Sequence, residues 1–172
     1  MNPVMILATD GSCLPRNPGR MRIGVVVVDQ ETTTLTDQLT KDLKRKGTNS
    51  VCEYEALLAG LELCVEKRYK KLDVRIDSEF IYHQLTGTYR VKAQHLKPLW
   101  REAAALMKTF DYCAVTWHAR ETPVAALADS LSRGIYLVEG DTVENNLRLV
   151  NAKNGGLERN KVRESHRNPQ VS

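Results

Sequence analysis

Residues 4–28 read VMILATDGSCLPRNPGRMRIGVVVV, and their pattern sets the fold class. Val4–Thr9 is a short apolar run ending in Asp10-Gly11-Ser12, a strand that runs into a turn. Asn17-Pro18-Gly19 is a strong turn signal. Ile23–Val28 is β-branched and nearly continuous, the pattern of a strand covered on both faces. Thr32–Thr40 follows, Thr-rich and alternating, as an edge strand would be. Three strands joined by short turns predict an antiparallel meander.

Downstream the period changes. Val51, Tyr54, Leu57, Leu58, Leu61 and Val65 recur at helical spacing from Ser50 to about Arg68. Leu72–Ile76 returns to strand character, and Ser78 can cap a short helix that ends before Gly87. Leu96–Met107 is amphipathic, Tyr112–Trp117 is a strand, and Pro123 opens a last helix running to about Leu137. The order β-β-β-α-β-α-α-β-α predicts an α/β fold: a mixed five-stranded sheet with helices on its faces. Residues 1–138 are expected to form the domain. From Glu139 the chain turns polar and basic, so 139–172 is expected to be a flexible tail, with Arg159, Lys161, Arg163 and Arg167 available to a polyanion.

The chain has 172 residues, 42% of them hydrophobic, which suits one domain with a core of its own. No apolar run approaches the roughly 20 residues of a membrane span. Met1–Thr9 lacks the basic start of a signal peptide, so a cytoplasmic protein is expected. The four cysteines, Cys13, Cys52, Cys64 and Cys113, have no C-x-x-C spacing, which disfavours zinc and redox motifs and leaves them as free thiols. The net charge of +4 is compatible with a polyanionic partner. Lys41, Lys44, Arg45 and Lys46 crowd what reads as one loop, and Arg90, Lys92, Lys97 and Arg101 form another cluster.

Four acids stand out by position. Asp10 and Asp77 end the first and fourth predicted strands, where sites collect in sheets covered by helices. Glu53 lies near the start of the first long helix and Asp129 within the last. Each also has a purely structural reading: Asp10-Gly11 as a turn, Ser50-x-x-Glu53 as a capping box, Asp77 as an N-cap, Asp129 as a solvated helical acid. Together, four converging carboxylates would repel one another unless cations neutralised them. Mg²⁺, which prefers oxygen ligands and shares them with phosphates, is the natural choice. Two such ions about 4 Å apart clamp the attacking and leaving oxygens of a phosphodiester.

The same residues carry a resemblance. Thr9-Asp10-Gly11-Ser12 with Asn17-Pro18-Gly19 resembles the opening of the type 1 ribonucleases H. Asn49-Ser50-Val51-Cys52-Glu53-Tyr54-Glu55-Ala56 is similar to that family's helix start, with Cys52 in place of the usual Ala. Arg75-Ile76-Asp77-Ser78-Glu79 and Ala128-Asp129-Ser130-Leu131-Ser132 resemble its third and last motifs, so the likeness covers roughly residues 4–137 in the family's order. It implies a ribonuclease H-like fold and an endonuclease that cuts the RNA strand of an RNA–DNA hybrid, leaving 5′-phosphate and 3′-hydroxyl ends. It also implies two Mg²⁺ ions, replaceable by Mn²⁺, on Asp10, Glu53, Asp77 and Asp129. The hybrid is the implied partner, with no obligate protein partner and no membrane. Gly11, Ser12, Cys13, Asn17, Asn49 and Ser50 are expected to contact the RNA, whose 2′-hydroxyls distinguish it from DNA. Lys46 and Thr48 match positions that grip a DNA phosphate.

The chain departs from the family in two places. The loop before the last acid reads Trp117-His118-Ala119-Arg120-Glu121-Thr122-Pro123, and either His118 or Arg120 can stand for the family's loop histidine. Residues 87–96 are too short to hold the basic protrusion of larger members. Two rival readings remain: a catalytically silent hybrid-binding module, and a related nuclease that also acts on double-stranded RNA. A proofreading exonuclease is disfavoured because Asp10-Gly11-Ser12 lacks an Asp-x-Glu pair.

Overall fold

The structure, a computed structural model, describes residues 2–165, with side-chain surroundings through residue 155. Strands β1 (Val4–Leu14), β2 (Gly19–Asp29) and β3 (Leu35–Gly47) form the antiparallel meander. Helix α1 (Asn49–Glu66) leads to β4 (Lys71–Ile76), and α2 (Glu79–Leu85) with α3 (Lys97–Met107) crosses over to β5 (Tyr112–Trp117). Two more helices follow, α4 (Pro123–Ser132) and α5 (Val143–Ser165). The sheet order is β3-β2-β1-β4-β5, with β1·β4 and β4·β5 parallel, so the mixed five-stranded sheet is as expected.

Strand alternation sorts the core into two layers. Met5, Leu7, Val25, Val27, Leu72 and Val74 face Tyr54, Leu57 and Leu61 of α1. Ile6, Ala8, Val26 and Val28 face Leu127, Ala128 and Leu131 of α4. The unbroken apolar run of β2 thus has its explanation: successive residues enter opposite cores, and Val25 through Val28 are all buried.

The structure differs from the sequence reading at several boundaries. β1 runs on through Asp10 to Leu14, so Asp10-Gly11-Ser12 is strand paired with β2 and not a turn, and Asp10 lies within β1 instead of at its end. β3 runs on to Gly47, so Lys41, Lys44, Arg45 and Lys46 lie on a strand and not in a loop; pairing of Lys46 with Arg20 and Gly47 with Gly19 extends the hairpin. Thr48, not Ser50, caps α1: its hydroxyl accepts from Val51 N–H at 3.4 Å. α4 stops at Ser132, because Gly134 takes a left-handed turn at φ +85°. The expected flexible tail carries α5, whose Val143 and Val150 join the second core layer. The link into α5 is stitched to the start of β3 by Leu35 N–H to Asp141 O (2.9 Å) and Val143 N–H to Thr33 O (2.9 Å). The side chains of Arg159, Lys161, Arg163 and Arg167 lie outside the described residues. Among the described residues no helix is long and apolar enough to cross a membrane.

Candidate active site

The sheet topology brings Asp10 and Asp77 together. β1 and β4 run parallel with Ala8 beside Arg75, so two residues further on Asp10 lies beside Asp77, just past the end of β4. Glu53 arrives from above on α1. That helix can sit close because residue 11 is glycine: a Cβ there would come within 2.6 Å of the Cys52 carbonyl carbon and 2.7 Å of Glu53 N. The Gly11 N–H in turn donates to the Glu53 carboxylate. One oxygen from each of Asp10, Glu53 and Asp77 lies within 4.8 Å of the other two.

Asp129 comes from the other face. α4 crosses β2 at Gly24, where a Cβ would sit 2.2 Å from Ala128 O and 2.4 Å from Ser132 N. This approach sets Asp129 on the wall of the cleft that Asp10 and Glu53 also line. The three-acid cluster therefore gathers three of the four expected carboxylates, and the fourth borders the same opening of about 490 Å³.

The electrostatics follow from crowding. Burial raises the Asp10 carboxyl above its ordinary range; the Ser132 hydroxyl opposes that rise, while the charges of Asp129 and Asp77 add to it. Glu53 is pushed well above its ordinary range, first by burial and then by Asp10 and Asp77. Arginines serve the two outer acids. Arg120 Nε donates to Asp77 Oδ2 at 3.1 Å, and Arg133 Nη2 lies 2.6 Å from Asp129 Oδ2 and 2.9 Å from Oδ1. Neither arginine forms an ion pair with Asp10 or Glu53. The innermost pair of acids is short of positive charge, the donor set a hard divalent cation fits.

Of the residues expected to touch substrate, Gly11, Ser12, Cys13, Asn49 and Ser50 line the cleft. Asn17 stands off it and braces the site: its Oδ1 accepts from Asn49 N–H at 3.0 Å. Thr48 is engaged as the α1 cap, and Lys46 pairs with Arg20 on the strand ladder, away from the lining. Arg120 reaches the carboxylates, whereas the His118 ring turns to Thr122 Oγ1 (2.6 Å) and Ala119 O (3.1 Å).

Two contributors escaped the sequence reading. Ser132, fully buried, donates to Asp10 Oδ2 at 2.5 Å. Arg133 sits four residues after Asp129, a helical ion-pair spacing that was legible. Ser132 and Asp10 are 122 residues apart, and nothing local announces their meeting.

Comparison with known proteins places this geometry. Residues 8–133 match the family model described as reverse transcriptase-like. The bifunctional protein Rv2228c of Mycobacterium tuberculosis is 33% identical over 128 residues, 73% of this chain and 34% of its own length. The chain thus spans about a third of that curated relative. Among solved structures, RNase H1 from the halophilic archaeon Halobacterium salinarum superposes with a TM-score of 0.71 at 26% identity, over 77% of this chain and 96% of that one. LC11-RNase H1, solved in complex with an RNA/DNA hybrid, gives a TM-score of 0.65 at 30% identity, over 83% and 99%.

Proposed function

Because this chain belongs to the reverse transcriptase-like family, in its type 1 ribonuclease H branch, we propose that it hydrolyses the RNA strand of RNA–DNA hybrids with Asp10, Glu53, Asp77 and Asp129 as its working carboxylates. The observation that carries this reading is the cluster of Asp10, Glu53 and Asp77 oxygens within 4.8 Å of one another, at an open cleft that Asp10 and Glu53 line. The donor set suits two Mg²⁺ ions, with Mn²⁺ as a substitute; when bound, they activate water and neutralise the charge that develops on the phosphate.

The chain's own residues do the rest. Asp10 would supply a ligand oxygen from within β1 and Asp77 one from just past the end of β4, and Glu53 would close the set from α1. Asp129 stands at the rim, where α4 holds it opposite the strands. Gly11–Cys13, Asn49 and Ser50 border the carboxylates and offer backbone and side-chain groups to ribose 2′-hydroxyls. Arg120 is an exposed cation at the rim, placed to exchange Asp77 for a phosphate oxygen. Residues 1–138 hold the catalytic residues, and α5 packs into the second core layer beside α4.

The test is cleavage of a labelled hybrid with Mg²⁺ and with Mn²⁺, beside single-stranded RNA, double-stranded RNA and double-stranded DNA. Cleavage confined to the RNA of the hybrid, lost with chelator and in Asp10→Asn, is the expected result. Equal cleavage of double-stranded RNA would reassign the substrate. Tight, salt-sensitive hybrid binding with no cleavage in either metal would overturn the reading in favour of a silent binding module.

A further inference from the structure

The four carboxylates are held by different kinds of partner. Asp77 and Asp129 lean on Arg120 and Arg133, whose side chains are 70% and 61% exposed. Both partners are charged and exposed, so a bound dication would repel them. Glu53 is held by a backbone N–H. Asp10 alone has a buried side-chain donor, the Ser132 hydroxyl, 2.5 Å from its Oδ2.

A carboxylate on a short side chain rotates broadly about its last torsion. Unless something pins it, its oxygens sample orientations in which neither points at a cation. Ser132 is placed to pin it. The hydroxyl has one proton and two acceptors in range, Asp10 Oδ2 at 2.5 Å and Asp129 O at 2.8 Å. The charged oxygen is the stronger and nearer acceptor, and 2.5 Å is the range of a charge-assisted O–H···O⁻ bond. Ser132 is itself fixed: it closes α4, and its carbonyl accepts from Ser12 Oγ at 3.1 Å, two residues beyond Asp10 on β1. Thr40 Oγ1 holds the neighbouring Leu131 carbonyl at 2.6 Å. The donor therefore stands on a helix end bound to both β1 and β3. Being neutral and buried, it would not be repelled by a cation.

We infer that Ser132 is a positioning residue that orients the Asp10 carboxylate for divalent cation binding. This rests on the proposed function above, in which Asp10 is a metal ligand. Loss of a partner that orients a metal ligand typically lowers metal affinity about 10–100-fold.

The experiment is calorimetric titration of Mg²⁺ into the metal-free full chain, for the wild type, Ser132→Ala, Ser132→Cys and Asp10→Asn. Cys keeps the side-chain shape but donates weakly, so it separates orientation from packing. Both Ser132 variants are expected to bind Mg²⁺ about tenfold more weakly or worse, and the Mg²⁺ concentration for half-maximal hybrid cleavage is expected to rise by the same factor. Circular dichroism melts of the metal-free variants check that they are folded. If Ser132→Cys binds Mg²⁺ as the wild type does while Asp10→Asn does not, the inference fails and the functional reading stands. If Asp10→Asn also binds normally, both fail.

Discussion

Asp10 and Glu53 sit above their ordinary protonation ranges because burial and their neighbours' charges disfavour ionisation. Such a group binds its proton more tightly folded than unfolded. Its contribution to stability is therefore full below the unfolded value and lost as the pH rises through the folded one. The ordinary values are 3.8 for Asp10 and 4.5 for Glu53, so these two sites destabilise the metal-free protein progressively as the pH climbs from there toward neutrality. Glu53→Gln removes the ionisation while keeping the shape and an acceptor for Gly11 N–H. In chelator, the variant should melt higher than the wild type near neutral pH, and the gap should close below the carboxylate range. A variant that melts lower at neutral pH would show that the Glu53 charge is already compensated without metal. The same substitution is expected to abolish cleavage, so stability and activity move in opposite directions at this residue.

At the scale of elements, α5 shows how a polar segment can belong to the core. Val143, Leu147 and Val150 fall on one helical face, and Asn146 lies in the middle of it, 1% exposed. A buried amide is tolerated only if its hydrogen bonds are met. Here Oδ1 accepts from Val138 N–H at 2.7 Å, and Nδ2 donates to Val138 O (3.0 Å) and Thr142 O (3.1 Å). Asn146 thus fastens the helix to the irregular link before it. Asn146→Ala would strand the Val138 N–H and is expected to lower unfolding stability by about 1–3 kcal/mol. Urea denaturation with an unchanged slope is the check, and a loss within about 0.5 kcal/mol, the range of an ordinary surface change, would rule out this anchoring. The signal was present in the sequence, since 143, 147 and 150 keep helical spacing. It was hidden because a face with Asn at its centre reads as solvated until the partners of that Asn are known.

Across the whole molecule, charge is segregated. The acids meet where Asp10 of β1 lies beside the end of β4, while Lys41, Lys44, Arg45 and Lys46 extend along β3, an edge of the sheet. A duplex spanning both would meet cations along its backbone and find the carboxylates at one phosphate. If Lys46 grips a phosphate, Lys46→Ala should weaken hybrid binding and reduce the slope of log affinity against log salt by about 0.7–0.9. The measurement uses the Asp10→Asn background, so that nothing is cut. An unchanged salt slope would leave Lys46 as a solvated edge charge whose task is to discourage strand pairing.

What the sequence determined by itself is the order of elements and the identity of the acids. Period-two and helical spacings are local, so β1 to β5 and α1 to α4 could be read along the chain, and Asp77 could be placed just past a strand end, whereas Asp10, read as the end of β1, lies within a strand that continues to Leu14. Tertiary structure alone decided how the acids are held. The Asp10–Ser132 bond, the approach of α4 over Gly24 and the anchoring of Asn146 join segments or fill neighbourhoods that no local pattern encodes. The reach of Arg120 to Asp77 and the turn of His118 toward Thr122 were settled the same way, by the path of one loop. The reason is physical: periodicity depends on neighbours along the chain, whereas the satisfaction of a buried polar group depends on whatever the folded chain brings beside it.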